Sequence, residues 1–268
     1  MEYPKIETLY DRTPLHHVDE SRIRCPEFTQ IAHWLVTEKV DGTNIRVALE
    51  SPLYFEGRGP DERPLIDWRV HFYGRTERAQ IPTFLLAHLQ DTFNWEKMQN
   101  LWRGKNDCPK CHGGGQYDSG KPKFFTRECL GHRAYQCECV EPYPITLYGE
   151  GYGARIQKGG GNYREGVSFR LFDVLVDGKW WLDWVSVCDV AKKLEIKTVP
   201  MLGEPWELAE LVDQAKAGFW SRVAFEDSER QGVMAEGIVA RTDPYLYDKH
   251  GRPLRFKLKT RDFALVGE

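Results

Sequence analysis

The segment Glu38-Lys39-Val40-Asp41-Gly42-Thr43-Asn44-Ile45-Arg46 puts an amine, two carboxylates and a sharp Asp-Gly turn side by side. A lysine amine attacks an electrophile only when unprotonated, and desolvation or neighbouring cations favour that form. Glycine at position 42 leaves no side chain between the amine and an approaching phosphate. Far downstream, Phe256-Lys257-Leu258-Lys259 alternates apolar and cationic residues. On a strand, that alternation points both ammonium groups to one side, which suits phosphate oxygens.

These residues need strands and tight turns to hold them. Ile45, Val47 and Leu49 alternate with Asn44, Arg46 and Ala48, the period of a half-buried strand, and Asp41-Gly42 before it predicts a hairpin. Phe84, Leu85, Leu86, Leu89, Phe93 and Trp95 recur near helical spacing and predict a helix over 83–102. After 143 the strand period returns: Phe169, Leu171 and Asp173 alternate with Arg170, Phe172 and Val174, and Asp177-Gly178 marks the next turn. Helices are predicted at 184–195 and 205–217, the second opened by Pro205, and strands at 235–241 and 253–259. Strands dominate, so the fold class is α+β: mainly antiparallel sheets with flanking helices, one domain over 1–268. Residues 103–142 break the pattern and read as an inserted module.

The lysine segment is followed, in order, by Tyr73-Gly74-Arg75-Thr76, Leu147-Tyr148-Gly149-Glu150, Ile156-Gln157-Lys158-Gly159, Leu171-Phe172-Asp173-Val174, Ala235-Glu236-Gly237-Ile238-Val239 and the Lys257/Lys259 strand. This order resembles the collinear motifs of the covalent nucleotidyltransferase superfamily of ligases and capping enzymes. Glu38 before the lysine, Asn44 five positions after it and the Ile-Gln-Lys run resemble most closely the RNA ligase 2-like branch of the ATP-dependent RNA ligases. The resemblance spans residues 30–260 apart from the insertion. It implies a nucleotidyltransferase (adenylation) fold in which Lys39 takes AMP from ATP and passes it to an RNA 5′-phosphate, which a 3′-hydroxyl then attacks. It implies phosphate contacts for Lys257 and Lys259, a magnesium contact for Glu236 and a ribose contact for Glu150. Phe172 would stack on adenine, Asp173 would support the site, and Glu38, Asn44 and Arg75 would surround the nucleotide or the RNA end. Arg58 competes with Arg75 for that role.

Two rival readings differ in kind. A DNA ligase or capping guanylyltransferase shares the Lys-x-Asp-Gly core, but Asn44 and the Ile-Gln-Lys run favour an RNA ligase. A non-catalytic, zinc-containing RNA-binding protein on a ligase scaffold would not need Lys39, Glu150, Glu236, Lys257 and Lys259 together. Many relatives carry a further C-terminal domain that grips RNA. This chain ends nine residues after Lys259, so the insertion is expected to supply part of that grip.

Composition sets outer bounds. The net charge of −3 confines any nucleic-acid surface to local patches, of which Lys249, Arg252, Arg255, Lys257, Lys259 and Arg261 are the first candidate. No apolar run approaches the ~18 residues of a membrane span, and the charged start from Met1 to Asp11 lacks a secretory pattern, so a cytoplasmic protein is expected.

Five of the seven cysteines crowd into positions 108–139. Cys108-Pro109-Lys110-Cys111 and Cys137-Glu138-Cys139 have the paired spacing of a tetrahedral zinc site, with Cys129 and His132 as alternative ligands. A glycine-rich module of 40 residues has little core, so metal binding would supply its folding energy. Elemental analysis of the purified protein is expected to return about one zinc per chain, the count of one four-ligand site. Zinc-free protein would remove the site, and loss of zinc in Cys129→Ser but not Cys137→Ser would redraw its ligand set.

Overall fold

A computed structural model describes residues 1–14, 17–50, 69–98, 101, 143–203 and 205–263, together with the backbone of 116–122 and 132–136. In chain order the strands are β1 (Glu7–Thr8), β2 (Tyr10–Arg12), β3 (Val18–Ile23), β4 (Leu35–Lys39), β5 (Thr43–Glu50) and β6 (Arg69–Tyr73). Helices α1 (Thr83–Thr92) and α2 (Trp95–Met98) follow, then β7 (Gln116–Pro122), β8 (His132–Gln136), β9 (Ile145–Gly153), β10 (Val167–Val176) and β11 (Trp180–Trp181). The rest are α3 (Trp184–Lys193), β12 (Lys197–Thr198), α4 (Leu208–Ala217), α5 (Arg222–Ser228), β13 (Gly237–Arg241) and β14 (Arg255–Lys259).

Two sheets carry the architecture. The first runs β1-β14-β13-β4; the second runs β11-β10-β9-β5-β6, with β12 beside β10. Pairing is antiparallel except at β1–β14 and β10–β12, so the α+β expectation holds. Each sheet has its own core. Ile45, Val47, Leu147, Phe169 and Leu171 pack with Leu85 and Leu89 of α1 and Val187 of α3. Trp34, Val36, Ile238, Phe256 and Leu258 pack with Leu211 and Ala215 of α4. Among the described residues no helix is long and apolar enough to cross a membrane.

Several local expectations change. Asp41-Gly42 is not a hairpin: β4 pairs with β13, and β5 pairs with β6 and β9, so the turn passes the chain from one sheet to the other. The β5 strand is not half-buried either. Arg46 and Ala48 are as enclosed as Ile45, and the Gly74–Glu77 loop holds the Arg46 guanidinium on the second face. The helix expected over 83–102 breaks at Phe93-Asn94 into α1 and α2. Pro205 does not open α4; Glu210 reaches back to the Glu207 amide, and the helix begins at Leu208. Helix α5 carries no periodic signal in seven residues and went unpredicted.

That short helix joins the two sheets. Its N-cap, Ser221, accepts from the Ala224 amide and donates to Glu38 at the end of β4. Further along, Glu226 and Asp227 bind Arg170 of β10 at 2.6 and 2.8 Å. Arg170 also donates to Tyr152 and to the Thr198 carbonyl. Arg170 and Asp227 are both almost fully enclosed, at 1% and 2% exposure. Removing Arg170 leaves the enclosed Asp227 to Lys197 at 2.7 Å and Arg164 at 3.6 Å, so the cost falls at the lower end of the ~3–5 kcal/mol of a broken buried pair. Arg170→Met is therefore expected to lose about that much in urea-induced unfolding; a loss below about 1 kcal/mol, the value of an exposed pair, would contradict the joint.

Candidate active site

Three strand ends converge where β4, β13 and β14 meet. Gly237 pairs with Lys39 on one side and Lys259 on the other, so Glu236 emerges between two lysines. Lys39 Nζ donates to Glu236 Oε2, and Lys259 Nζ to Oε1 at 2.6 Å. Only glycine fits at 237: a Cβ there would meet the Leu258 carbonyl oxygen at 2.1 Å. Lys257 lies two residues back on the same strand face, opposite the enclosed Phe256 and Leu258. It has no ion-pair partner among the described residues.

The second sheet forms the opposite wall. Asn44 on β5 pairs in register with Glu150 on β9. Gly42 lets the lysine turn lie against β9, since a Cβ there would strike the Gly151 oxygen at 2.4 Å and Glu150 Cγ at 2.8 Å. The missing side chain thus serves packing, where the sequence suggested phosphate access. The turn is pinned twice: Gln157 donates to the Gly42 carbonyl at 3.1 Å, and the Asp41 amide donates to the Tyr163 hydroxyl at 3.1 Å. On β10 the register shifts between Leu171 and Asp173, and this bulge leaves Phe172 partly exposed toward the cavity. Bulges commonly re-aim a side chain in this way.

Together these walls enclose a cavity of about 620 Å³. Glu38, Lys39, Asn44, Arg75, Glu150, Phe172, Asp173, Glu236, Lys257 and Lys259 all line it, so one chamber unites every nucleotide-site expectation outside the cysteines. Nine Lys and Arg residues line it against five Asp and Glu, which favours an anionic occupant. Among the described residues, the enclosed Oδ1 atom of Asn44 has no hydrogen-bond partner, so a ligand donor could pair with it.

Two expected residues take up special positions. The Glu38 carboxylate is held by Ser221 Oγ at 2.5 Å and by the Arg222 and Val223 amides of α5. Asp173 is buried in a network with Arg241 (3.0 Å), Arg255 (3.1 Å), Tyr3 (2.7 Å) and Tyr245 (2.6 Å). Sequence reasoning missed these four partners, because arginines and tyrosines buried around one carboxylate have no characteristic spacing. It also missed Arg46, whose guanidinium holds the Gly74 carbonyl and Glu77 and so fixes the loop that carries Arg75. The C-terminal basic cluster does not form one surface. Arg255 is buried, Arg252 pairs with Asp248, and Lys257 and Lys259 face the cavity. Arg58, Cys108, Cys111, Cys129, Cys137 and Cys139, and the side chain of His132, lie outside the described residues. Among the described residues, no group of three or more His, Cys, Asp or Glu is arranged to hold a metal.

An RNA ligase family model matches residues 32–259, which include most of the residues that line this cavity. The chain belongs to the RNA ligase family. Solved structures of similar fold include Naegleria gruberi RNA ligase: a variant with ATP and Mn (18% identity, TM-score 0.54, covering 98% of this chain and 58% of that one) and a complex with pyrophosphate (18%, 0.53, 97% and 62%). Another variant carries AMP and Mn (17%, 0.53, 97% and 62%). The present chain thus spans about three-fifths of the length of that ligase. No curated protein matches the sequence.

Electrostatics separate the two cavity glutamates. Burial alone would raise Glu236, but the charges and hydrogen bonds of Lys39 and Lys259 outweigh it and hold the carboxyl below its ordinary value. Glu150 has no such direct pairing among the described residues. Burial, then the charges of Glu236 and Asp41, push it up to about 8 against the pull of Lys39 and Arg75. Lys257 is lowered, first by burial and then by Lys39, Lys259 and Arg75. A carboxyl raised in the folded state binds more protons there than in the unfolded chain, so its contribution to stability falls as pH rises between 4.5 and about 8. In metal-free, nucleotide-free protein, the melting temperature of Glu150→Gln is expected to gain on the wild type across that interval and then run parallel. A constant difference from acid to alkaline pH would contradict the assignment.

Proposed function

We propose that the protein is an ATP-dependent RNA ligase that carries AMP on Lys39. The observation that supports this most is the convergence of Lys39, Lys257 and Lys259 around Glu236 at one side of a cavity that Phe172 lines from the other sheet. An anion of nucleotide size suits the excess of cations, and Asn44 offers an unpaired acceptor beside it.

In the first step Lys39 Nζ gives up a proton to water and, as the free amine, attacks the α-phosphorus of ATP. An N–P bond forms, the bond to the β-phosphate oxygen breaks, and pyrophosphate leaves. Lys257 and Lys259 neutralise charge on the phosphate oxygens, which is the main task in phosphoryl transfer. An RNA 5′-phosphate then takes the AMP from Lys39, and an RNA 3′-hydroxyl displaces it to form the phosphodiester. Phe172 stacks on the base, Glu150 contacts the ribose, and Asn44 and Arg75 contact the nucleotide or the 5′-phosphate. Glu38 and Asp173 act from behind, through α5 and through the buried arginines. A magnesium ion, which needs only one or two carboxylates, would be held by Glu236 with Glu150 nearby and would offset phosphate charge. Complexes of the Naegleria ligase with ATP or AMP and Mn support ATP as substrate and a divalent metal in the site. RNA in place of DNA is favoured by family membership; discrimination would rest on 2′-hydroxyl contacts. A structural zinc on Cys108, Cys111, Cys137 and Cys139 is supported by their spacing.

Incubation with labelled ATP and magnesium, followed by denaturing electrophoresis, tests the chemistry. Wild-type protein is expected to retain label and Lys39→Ala to retain none. Lys257→Ala should slow labelling by about 10²–10³, the usual effect of removing one transition-state contact, with little loss of melting temperature. Full labelling of Lys39→Ala would overturn the mechanism, and faster sealing of an all-DNA nick than of RNA would change the substrate.

A further inference from the structure

Tyr3 to Ile6 line the same cavity as Lys39, although no motif in the sequence singles them out. The Tyr3 ring meets Phe172 edge-on, with centroids 5.0 Å apart and planes at 64°. Its hydroxyl donates to Asp173 Oδ2 at 2.7 Å and accepts from Arg255. The Arg255 guanidinium lies 4.2 Å from the ring centroid, and Tyr148 and Trp181 pack at 5.0 and 5.6 Å. The ring is therefore held at its hydroxyl, on its face and along its edge. Phe172 is less constrained. It sits at the bulge of β10, is partly exposed, and among the described aromatic side chains only Tyr3 is in ring contact with it.

We propose that Tyr3 is a positioning residue of the nucleotide site, holding the Phe172 ring in the orientation that receives the base. This rests on the reading of the cavity as an ATP site. The two parts of the side chain do different work. The hydroxyl belongs to the buried network around Asp173 and supports the fold. The ring edge sets Phe172, because a T-shaped pair has a preferred geometry that an aliphatic neighbour does not impose. A pre-set stacking face lowers the ordering cost of binding a base, so loss of the ring should weaken ATP binding without slowing the chemical step.

The test is single-turnover labelling of the full chain across a range of ATP concentrations, with melting temperatures measured alongside. Tyr3→Leu keeps apolar volume without an aromatic edge. Its half-saturating ATP concentration is expected to rise about three- to tenfold, the value of one aromatic pair, with the plateau rate within about twofold. Tyr3→Phe keeps the ring and loses the hydroxyl, so it should melt lower and raise the half-saturating ATP concentration by clearly less than Tyr3→Leu does. Tyr3→Leu that melts lower but saturates like wild type would overturn the inference. So would Tyr3→Phe raising the half-saturating concentration as far as Tyr3→Leu. Wild-type protein that takes up no label would remove the ATP reading, and this inference with it. Normal wild-type labelling with unaltered saturation in both variants would overturn this inference alone.

Discussion

The site turns on the carboxylate of Glu236, which holds two ammonium groups at once. Lys39 and Lys259 come from strands on either side of it, and Lys257 stands beside them without a counter-ion among the described residues. Three cations gathered in a half-enclosed cavity repel one another, more strongly than they would in water. One carboxylate makes the gathering tolerable without cancelling it. The remaining positive charge is what an anionic ligand would meet, and its phosphates would complete the balance that Glu236 begins.

Holding this arrangement requires the end of β4 to stay in place while the chain crosses from one sheet to the other. The turn after Lys39 is tied by Gln157 and Tyr163, and the residue before it is tied by the N-terminus of α5. The same seven-residue helix grips Arg170 in the second sheet. Lysine placement and sheet-to-sheet geometry therefore depend on one small element, and a shift of α5 would move the nucleophile relative to the wall that bears Glu150 and Phe172. A buried carboxylate on helix amides is a stiff anchor, because leaving either side unpaired is costly.

Much of the site was legible because its residues sit on short segments with local spacing. The lysine turn, the Lys257/Lys259 alternation and the Glu-Gly pairs at 150 and 236 can each be read within a few positions. What could not be read was long-range. Asp41-Gly42 looks like a hairpin from its neighbours, and only β13 and β9 decide that its two strands part. Arg46 alternates like a solvent-facing residue, yet the Gly74–Glu77 loop buries it. Tyr3 and Arg255 lie 252 positions apart and meet only because β1 pairs with β14. The basic run at 249–261 looked like a surface patch, and packing against Asp173 draws Arg255 inward instead.

Because Lys39, Lys257 and Lys259 crowd one carboxylate, the most direct test of this account is to locate the nucleotide on the chain. Protein incubated with ATP and magnesium, digested and sequenced by tandem mass spectrometry at a pH that preserves phosphoramidates, should carry AMP on the peptide containing Lys39 and on no other. An adduct on Lys257 or Lys259, or one spread among the three, would mean that the junction of β4 and β5 does not select the nucleophile.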